Sequence, residues 1–355
     1  MSSLHHLNRL NHLDSASYPT KKLHHGGQCR AATMRYNIPL ADWIDLSTGI
    51  NPNGWPVKDI PSDSWQRLPE DDDELVEVAC QYYGAPTLLP VAGSQAAIQA
   101  LPRLREFSHV ASRVCVLSPS YAEHAHAWQR ANHRVKAVTP EQINDALPDT
   151  DVLVIINPNN PTGAVFSVEQ LLDWHTQLAQ HGGWLIVDEA FMDATPEQSV
   201  ASYTDRPGLI VLRSLGKFFG LAGTRVGFVC SHETLLAQLD ALLGPWAIST
   251  ASRWVAIQAL QDTVWQKQTR LNLTSDSKRL HALLTKHGLK PDGGCAFFQW
   301  VCTPHAETIH EKLARQGILT RLFSVAQSLR FGLPGVEFEW GRLCRTLAAM
   351  TDIKK

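Results

Sequence analysis

The run SLGKFFGLAGTRVGF at 214–228 gathers a hydroxyl, a primary amine and a guanidinium, from Ser214, Lys217 and Arg225, around a glycine-rich loop. Gly216, Gly220 and Gly223 allow close backbone approach, and Arg225 offers a forked cation to a phosphate. The Lys217 amine can form an imine once desolvation or a neighbouring cation lowers its pKa. Taken alone, the same run also reads as a surface lysine in a glycine-rich turn. It is not a P-loop, because Gly216-Lys217 is followed by Phe218 and the first glycine is missing at the required offset. No GxGxxG follows a strand either, so a dinucleotide site has no fingerprint here.

A second signal is WLIVDEAF at 184–191, an apolar strand that ends in Asp188 and Glu189, at the carboxyl end where α/β sheets meet their ligands. An imine-forming lysine together with such a carboxylate suits pyridoxal phosphate (PLP), whose ring acts as an electron sink when an anion keeps its nitrogen protonated. Asp188 fits that role, with Glu189 as a structural partner; a helix-capping Asp is the alternative. The third signal, NPNNPTG at 157–163, follows the strand DVLVIIN. Pro158 and Pro161 stiffen the turn and Gly163 permits an unusual dihedral, so an Asn amide can be held against a ring, although a plain strand-to-helix turn has the same composition.

These residues need a scaffold of layered elements. From about residue 88, short β-rich runs (LLPVA, RVCVLS, RVKAV, DVLVIIN, WLIVDE, LIVLRS, VGFVC) alternate with helix-length amphipathic stretches at 94–106, 121–132, 167–181 and 231–243, the pattern of an α/β fold around a largely parallel sheet. Helical segments continue to about 286. After PDGG at 291–294 come CAFFQWV, a helix near 304–316, ILTRLF, SLRFGL and a final helix over 336–350, which predict a smaller α+β subdomain. The first fifty residues read as an extended arm. AspAspAsp at 71–73 reads as a solvated helix start rather than a metal site.

A chain of 355 residues exceeds the roughly 250–300 at which a single core stops growing, so two subdomains are expected. The net charge of −2 offers no field for nucleic acid or an anionic membrane, and any phosphate must be met by local groups. The longest apolar run, VLVII at 152–156, is far below the roughly 20 residues of a membrane helix. The first twenty residues lack an apolar signal-peptide region, which by default places the chain in the cytoplasm. Seven cysteines at 29, 80, 115, 230, 295, 302 and 344 form no CxxC and suit a reducing compartment, mostly as core thiols.

In order along the chain, AGSQAAI, SPSY, NPNNPTG, DEAF, SLGK, LAGTRVGF and LRFG resemble the motifs of the class I/II aminotransferases, a fold-type I PLP family, and together they cover most of the sequence. The resemblance implies the PLP-dependent transferase (aspartate aminotransferase-like) fold: a mixed seven-stranded sheet in a large PLP-binding domain at 51–286, with a small α+β domain at 287–355 joined by the N-terminal arm at 1–50. It also implies a homodimer with active sites at the interface. Carried over position by position, Lys217 is the Schiff-base lysine, Asp188 the pyridinium partner, Asn160 the contact to the ring 3-oxygen and to substrate, and Tyr121 the stacking ring. Ser94, Gln95, Ser214 and Arg225 would hold the cofactor phosphate, and Arg330 a substrate carboxylate. Two positions depart from the common pattern: Phe191 and Leu68 stand where many members have Tyr, so the hydroxyls that reach the ring and the neighbouring subunit's cofactor phosphate are absent.

The arm narrows the choice. HHGGQCR at 24–30 followed by IDLSTGINPNGWP at 44–56 resembles the L-threonine-O-3-phosphate decarboxylase family of cobalamin biosynthesis, and DEAF in place of DEAY points the same way. Gly26-Gly27 could lay the arm over the site and bring His25 and backbone amides to a phosphorylated amino-acid substrate. The resemblance then implies loss of the α-carboxylate as carbon dioxide to give (R)-1-amino-2-propanol phosphate, by an enzyme that binds no metal. Histidinol-phosphate aminotransferases are the alternative. A non-catalytic regulator of this fold is a lesser one, because the residues before the core lack a basic recognition-helix pattern.

Overall fold

Five consecutive apolar residues, Val152–Ile156, form a strand buried on both faces (β5), and this strand shows how the molecule is layered. Alternate side chains point to opposite sides of a sheet. Leu153 and Ile155 accordingly join one core with Leu171, Leu178 and Phe191, while Val152 and Val154 join another with Ile98, Leu101 and Trp128. Each fully buried Leu or Ile contributes roughly 1.5–3 kcal/mol, so a strand apolar on both faces needs helices on both sides.

The computed structural model describes residues 23, 25–108, 111–324 and 326–350; the first part of the expected arm (1–22 and His24) and the last residues of the expected small domain (351–355) lie outside the described residues. In chain order the segments are α1 (Cys29–Tyr36), β1 (Ile44–Asp45), α2 (Leu75–Tyr83), β2 (Leu88–Val91), α3 (Ser94–Ser108), β3 (Arg113–Leu117), α4 (Ala122–Arg130), β4 (Arg134–Val138), α5 (Ile143–Ala146), β5, α6 (Val168–Ala179), β6 (Trp184–Asp188), β7 (Leu209–Ser214) and β8 (Gly227–Cys230). They are followed by α7 (Glu233–Leu243), α8 (Thr250–Gln261), α9 (Thr263–Lys286), β9 (Gly293–Cys295), β10 (Phe298–Cys302), α10 (Ala306–Ala314), β11 (Ile318–Leu319), β12 (Arg321–Phe323), β13 (Ser328–Gly332) and α11 (Glu337–Ala348).

Seven strands form one mixed sheet in the order β2-β8-β7-β6-β5-β3-β4, as expected from the resemblance. Only β8 runs antiparallel to its neighbours. The start of β8 therefore lies at the same edge as the carboxyl ends of β2, β7, β6, β5 and β3. A separate four-stranded antiparallel sheet, β12-β13-β10-β9, is built by the C-terminal residues, with α9 and α10 packed against it.

Four expectations need correction. The arm is not simply extended: α1 forms at 29–36 and ends at Asn37 in the left-handed conformation, φ 53°. Only Ala32 of α1 is buried, so it has no apolar stripe from which a helix could be read. CAFFQWV is two strands, because a turn at Ala296-Phe297 folds β9 back onto β10, with Cys295 opposite Phe298. ILTRLF likewise divides: β11 pairs in parallel with β1, while β12 pairs with β13. Of the seven cysteines only Cys115 and Cys230 are buried, and Cys302 is exposed. Asp73 lies just before α2, whose N-cap is Glu74; its Oδ1 accepts from the Leu75 N–H at 3.1 Å, and both Asp71 and Asp73 bind Arg253.

Candidate active site

The edge that collects the carboxyl ends of the strands carries the chemistry. Pairing of Val91 with Gly227 and of Ser214 with Gly227 puts the end of β2, the end of β7 and the start of β8 side by side. A side chain at Gly227 would overlap Ser94 N at 2.5 Å, so its absence lets the amino end of α3 sit directly on the sheet. Gly93, at φ +71°, has the Arg225 guanidinium 2.7 Å from where a Cβ would lie. Ser94, Gln95, Ser214 and Arg225 thus converge on one cup at a helix N-terminus, a natural anion site. Ser214 Oγ accepts from the Gly216 N–H at 3.2 Å, and Arg225 donates to the Ala222 carbonyl at 3.1 Å with its chain otherwise exposed.

Asp188 ends β6, paired with Ile156 of β5 and Leu212 of β7. It is buried; Oδ1 accepts from the Ala190 N–H at 3.1 Å, and Oδ2 lies 2.9 Å from His124 Nε2. Glu189 turns away from Asp188 into the core, where it and Asp193 hold the buried Arg213.

Lys217 lies in the turn after β7. It keeps a partly open face, yet protein surrounds the rest, and its Nζ donates to the Thr48 carbonyl at 3.4 Å. Burial, reinforced by Arg330 and Arg225 and opposed by Asp188, pulls its pKa from 10.5 down to about 8. The Lys217 ammonium is 5.4 Å from the centre of the Phe191 ring, so the position where a Tyr hydroxyl is missing is filled by an aromatic face.

Asn160, beyond β5, accepts from Arg330 through Oδ1 at 2.5 Å. Arg330, in the middle of β13, also donates to the Ser47 carbonyl and packs over Phe298. Its Nε is buried without a hydrogen-bond partner, and burial lowers its pKa, although a guanidinium stays charged in proteins. Arg321 is the cross-strand neighbour of Arg330 in β12. Tyr121 caps α4 and donates to Gln95 Oε1 at 3.2 Å; burial, with Glu123 and Asp188 nearby, raises its pKa to about 12.

The arm closes one side. His25 Nε2 lies 2.7 Å from Glu123 Oε1, its ring is 5.8 Å from Tyr121, and the Gly27 N–H donates to Ser47 Oγ at 2.8 Å. Gly26 packs so closely on Ser47 that a Cβ would meet its carbonyl oxygen at 2.3 Å. A cavity of about 1320 Å³ opens between this arm, the Ser118–Ser120 loop, α10 and β12, lined by His25, Ser120, His310 and Arg321 among others. All twelve expected site residues therefore surround one region.

Sequence reasoning missed His124, Glu123 and Arg321. His124 follows Tyr121 by three residues in a helix, spacing that shares a face and could have revealed it. Arg321 becomes visible only through the β12–β13 register, which spacing does not encode.

Pyridoxal phosphate fits this set, which offers a lysine with a lowered pKa, a buried carboxylate, a ring and an amide beside them, and an anion cup a few residues away. Among the described residues no cluster of three or more metal-ligating side chains occurs. A mixed seven-stranded sheet with a lysine after β7 and an aspartate ending β6 defines a fold-type I PLP enzyme, and the class I and II aminotransferase family is matched over residues 60–353. The chain belongs to that family. Within it, the chain is 54% identical to the threonine-phosphate decarboxylase of Pseudomonas aeruginosa, over 93% of this chain and 98% of the relative. A histidinol-phosphate aminotransferase of Thermoanaerobacter pseudethanolicus is 30% identical, over 51% of each chain. The histidinol-phosphate aminotransferase of Sinorhizobium meliloti, solved in complex with pyridoxal-5'-phosphate, shares the fold with a TM-score of 0.75 at 18% identity, over 94% of this chain and 96% of that one.

Proposed function

We propose that the chain is a PLP-dependent threonine-phosphate decarboxylase, a lyase that converts L-threonine O-3-phosphate into carbon dioxide and (R)-1-amino-2-propanol phosphate. The observation that carries this reading is the pair of guanidinium groups at one register position, Arg321 opposite Arg330, beside Lys217 and under the arm. A substrate that carries both a carboxylate and a phosphate suits two such cations. The 54% identity to a threonine-phosphate decarboxylase supports the same choice.

When bound, the cofactor supplies an aldehyde for the substrate amine and a protonated ring that draws electrons from Cα. Tyr121 would hold its ring by stacking, Asn160 its 3-oxygen, Asp188 its ring nitrogen, and Ser94, Gln95, Ser214 and Arg225 its phosphate. Asp188 is oriented by His124 and the Ala190 N–H, as a partner for a protonated ring nitrogen requires. Arg330 orients the substrate carboxylate, and Arg321, His25 and the Gly26-Gly27 backbone orient its phosphate. The Cα–carboxylate bond breaks to release carbon dioxide, and Cα takes up one proton. Lys217 Nζ, with a pKa about 8, exchanges protons near neutral pH and is the group to supply it.

The same reading takes the arm as part of the small domain, supported by the pairing of Ile44 with Ile318 and of Asp45 with Leu319. It takes the protein as a cytoplasmic homodimer. The exposed Trp65, Leu68 and Trp246 supply an apolar surface for a second copy, and seven free cysteines suit a reducing compartment. Among the described residues no helix is long and apolar enough to cross a membrane.

The test is incubation with carboxyl-labelled threonine phosphate without any 2-oxo acid, and separately with histidinol phosphate plus 2-oxoglutarate. Labelled carbon dioxide in the first assay is the expected result. Glutamate in the second with no label released in the first would replace the decarboxylase by an aminotransferase.

A further inference from the structure

Glu123 is a carboxylate bound to His25, which lines the cavity together with Arg35, Lys312 and Arg321 and with the carboxylates of Glu307 and Glu311. Its side chain is mostly buried, and three donors converge on it: His25 Nε2 at 2.7 Å, Gln95 Nε2 at 2.9 Å and Gln99 Nε2 at 3.2 Å. Unneutralised, it would repel a phosphorylated substrate. Its place in the first turn of α4 and these donors offset that repulsion.

The contact with His25 has a chemical consequence. Nε2 of that ring is spent on Glu123, so any second contact runs through Nδ1. A neutral imidazole that donates from Nε2 can only accept at Nδ1, and a dianionic phosphate offers nothing to accept from. Only the imidazolium donates from both nitrogens, one toward Glu123 and the other toward an anion. The arm itself does not depend on this contact for its place, since the Gly27 N–H is bound to Ser47 Oγ and β1 is paired with β11. A partly exposed ion pair adds little to stability. What it sets is which way the ring faces and which nitrogen is left over.

We propose that Glu123 is a positioning residue for the substrate phosphate, holding the His25 ring by Nε2 so that Nδ1 is the nitrogen left to meet the phosphate. This deepens the reading of the His25-Gly26-Gly27 arm as a substrate-binding element and rests on it. Glu123 acts through His25, not on the reacting atoms.

The experiment is a double-variant cycle of His25→Ala and Glu123→Gln, with Glu123→Asp as the conservative control, on the PLP-loaded full chain. KM and kcat are measured with L-threonine O-3-phosphate, kcat/KM with unphosphorylated L-threonine, and PLP retention after dialysis. Loss of one charge-assisted contact is expected to raise KM for the phosphate ester about tenfold in Glu123→Gln, with kcat and the L-threonine value changing no more than about threefold. Glu123→Asp recovers part of the KM, and adding Glu123→Gln to His25→Ala raises it no further, since the two act as one unit. Additive effects, or an unchanged KM in Glu123→Gln while His25→Ala raises it, would overturn the role of Glu123 and leave the arm in place. Loss of PLP with unchanged KM would overturn it in favour of a role through Gln95. If His25→Ala itself leaves KM unchanged, the arm does not bind substrate and the inference falls with it.

Discussion

His124 and Asp188 form a buried pair, Nε2 to Oδ2 at 2.9 Å, with side chains 2% and 5% exposed, so the carboxylate at the end of β6 is tied to the helix that Tyr121 begins. With Oδ1 accepting from Ala190, Asp188 has no freedom to swing away, and its charge stays at one point. The pair joins the element that carries the proposed ring partner to the one that carries the proposed stacking ring.

Asp188→Asn is expected to keep the fold and most PLP binding, because the amide oxygen still accepts from Ala190, but to lose turnover by about a hundredfold or more, since a neutral amide cannot stabilise a protonated ring. Circular dichroism and kcat together check this. Activity within about threefold of the parent would remove Asp188 from the role, given that each tenfold is about 1.4 kcal/mol of barrier.

Lys217 is expected to be the lysine fixed to PLP by borohydride, read by peptide mapping. Its pKa, lowered from 10.5 to about 8, gives a second readout. The neutral amine is the nucleophile and exists above the pKa, so capture of PLP by the apoprotein should quicken as pH rises through about 8 and level off above it. At pH 7.5 about a quarter of the amine is neutral, against about 0.1% for an ordinary lysine. The folded pKa lies below the unfolded one, so this group's penalty on apoprotein stability is full below pH 8 and is relieved between about 8 and 10.5. A capture midpoint near 10.5, followed by absorbance, would show that burial does not tune this amine.

Much of this was legible because it is local. Val152–Ile156, Trp184–Asp188 and Leu209–Ser214 announce themselves as buried strands by composition, and the residues just past their ends are where a parallel sheet must bring ligand groups together. Lys217, Asp188 and Asn160 could therefore be placed by motif alone. What stayed hidden depends on pairing across long separations. Arg321 meets Arg330 through a hairpin register, and Glu123 gains its meaning only from His25, 98 residues away. Helix α1 was misread because its burial comes from one alanine and from Tyr36 reaching Glu311 on α10, not from a periodic face.

Arg225→Ala is expected to weaken PLP affinity about tenfold, the low end for a charged hydrogen bond because this guanidinium is exposed. Cofactor retention on dialysis against a range of PLP concentrations measures it. Retention equal to the parent's would mean that the cup at Gly93 and Ser94 holds the phosphate by backbone and hydroxyl groups alone.

The two arginines should separate by substrate. Arg330 is buried, bound to Asn160 and to the Ser47 carbonyl, and close enough to Lys217 to lower its pKa, so it stands where the carboxylate of a substrate held at Cα would be. Arg321 lines the cavity with His25, one strand further out, where the phosphate of the same substrate would reach. Arg321→Ala should therefore raise KM for threonine phosphate by about ten- to a hundredfold while leaving the weak reaction of L-threonine within about threefold, because only the ester loses a partner. Arg330→Ala should lower kcat/KM for both substrates by a similar factor, since both carry the carboxylate, and it also leaves Asn160 Oδ1 without its donor. Arg330→Lys should recover little, as one ammonium cannot span a carboxylate, Asn160 and Ser47 at once. Steady-state kinetics on the two substrates decide the matter. If Arg330→Ala spares L-threonine and Arg321→Ala does not, the assignments are reversed: the phosphate lies nearest Lys217, and the carboxylate points out toward the arm.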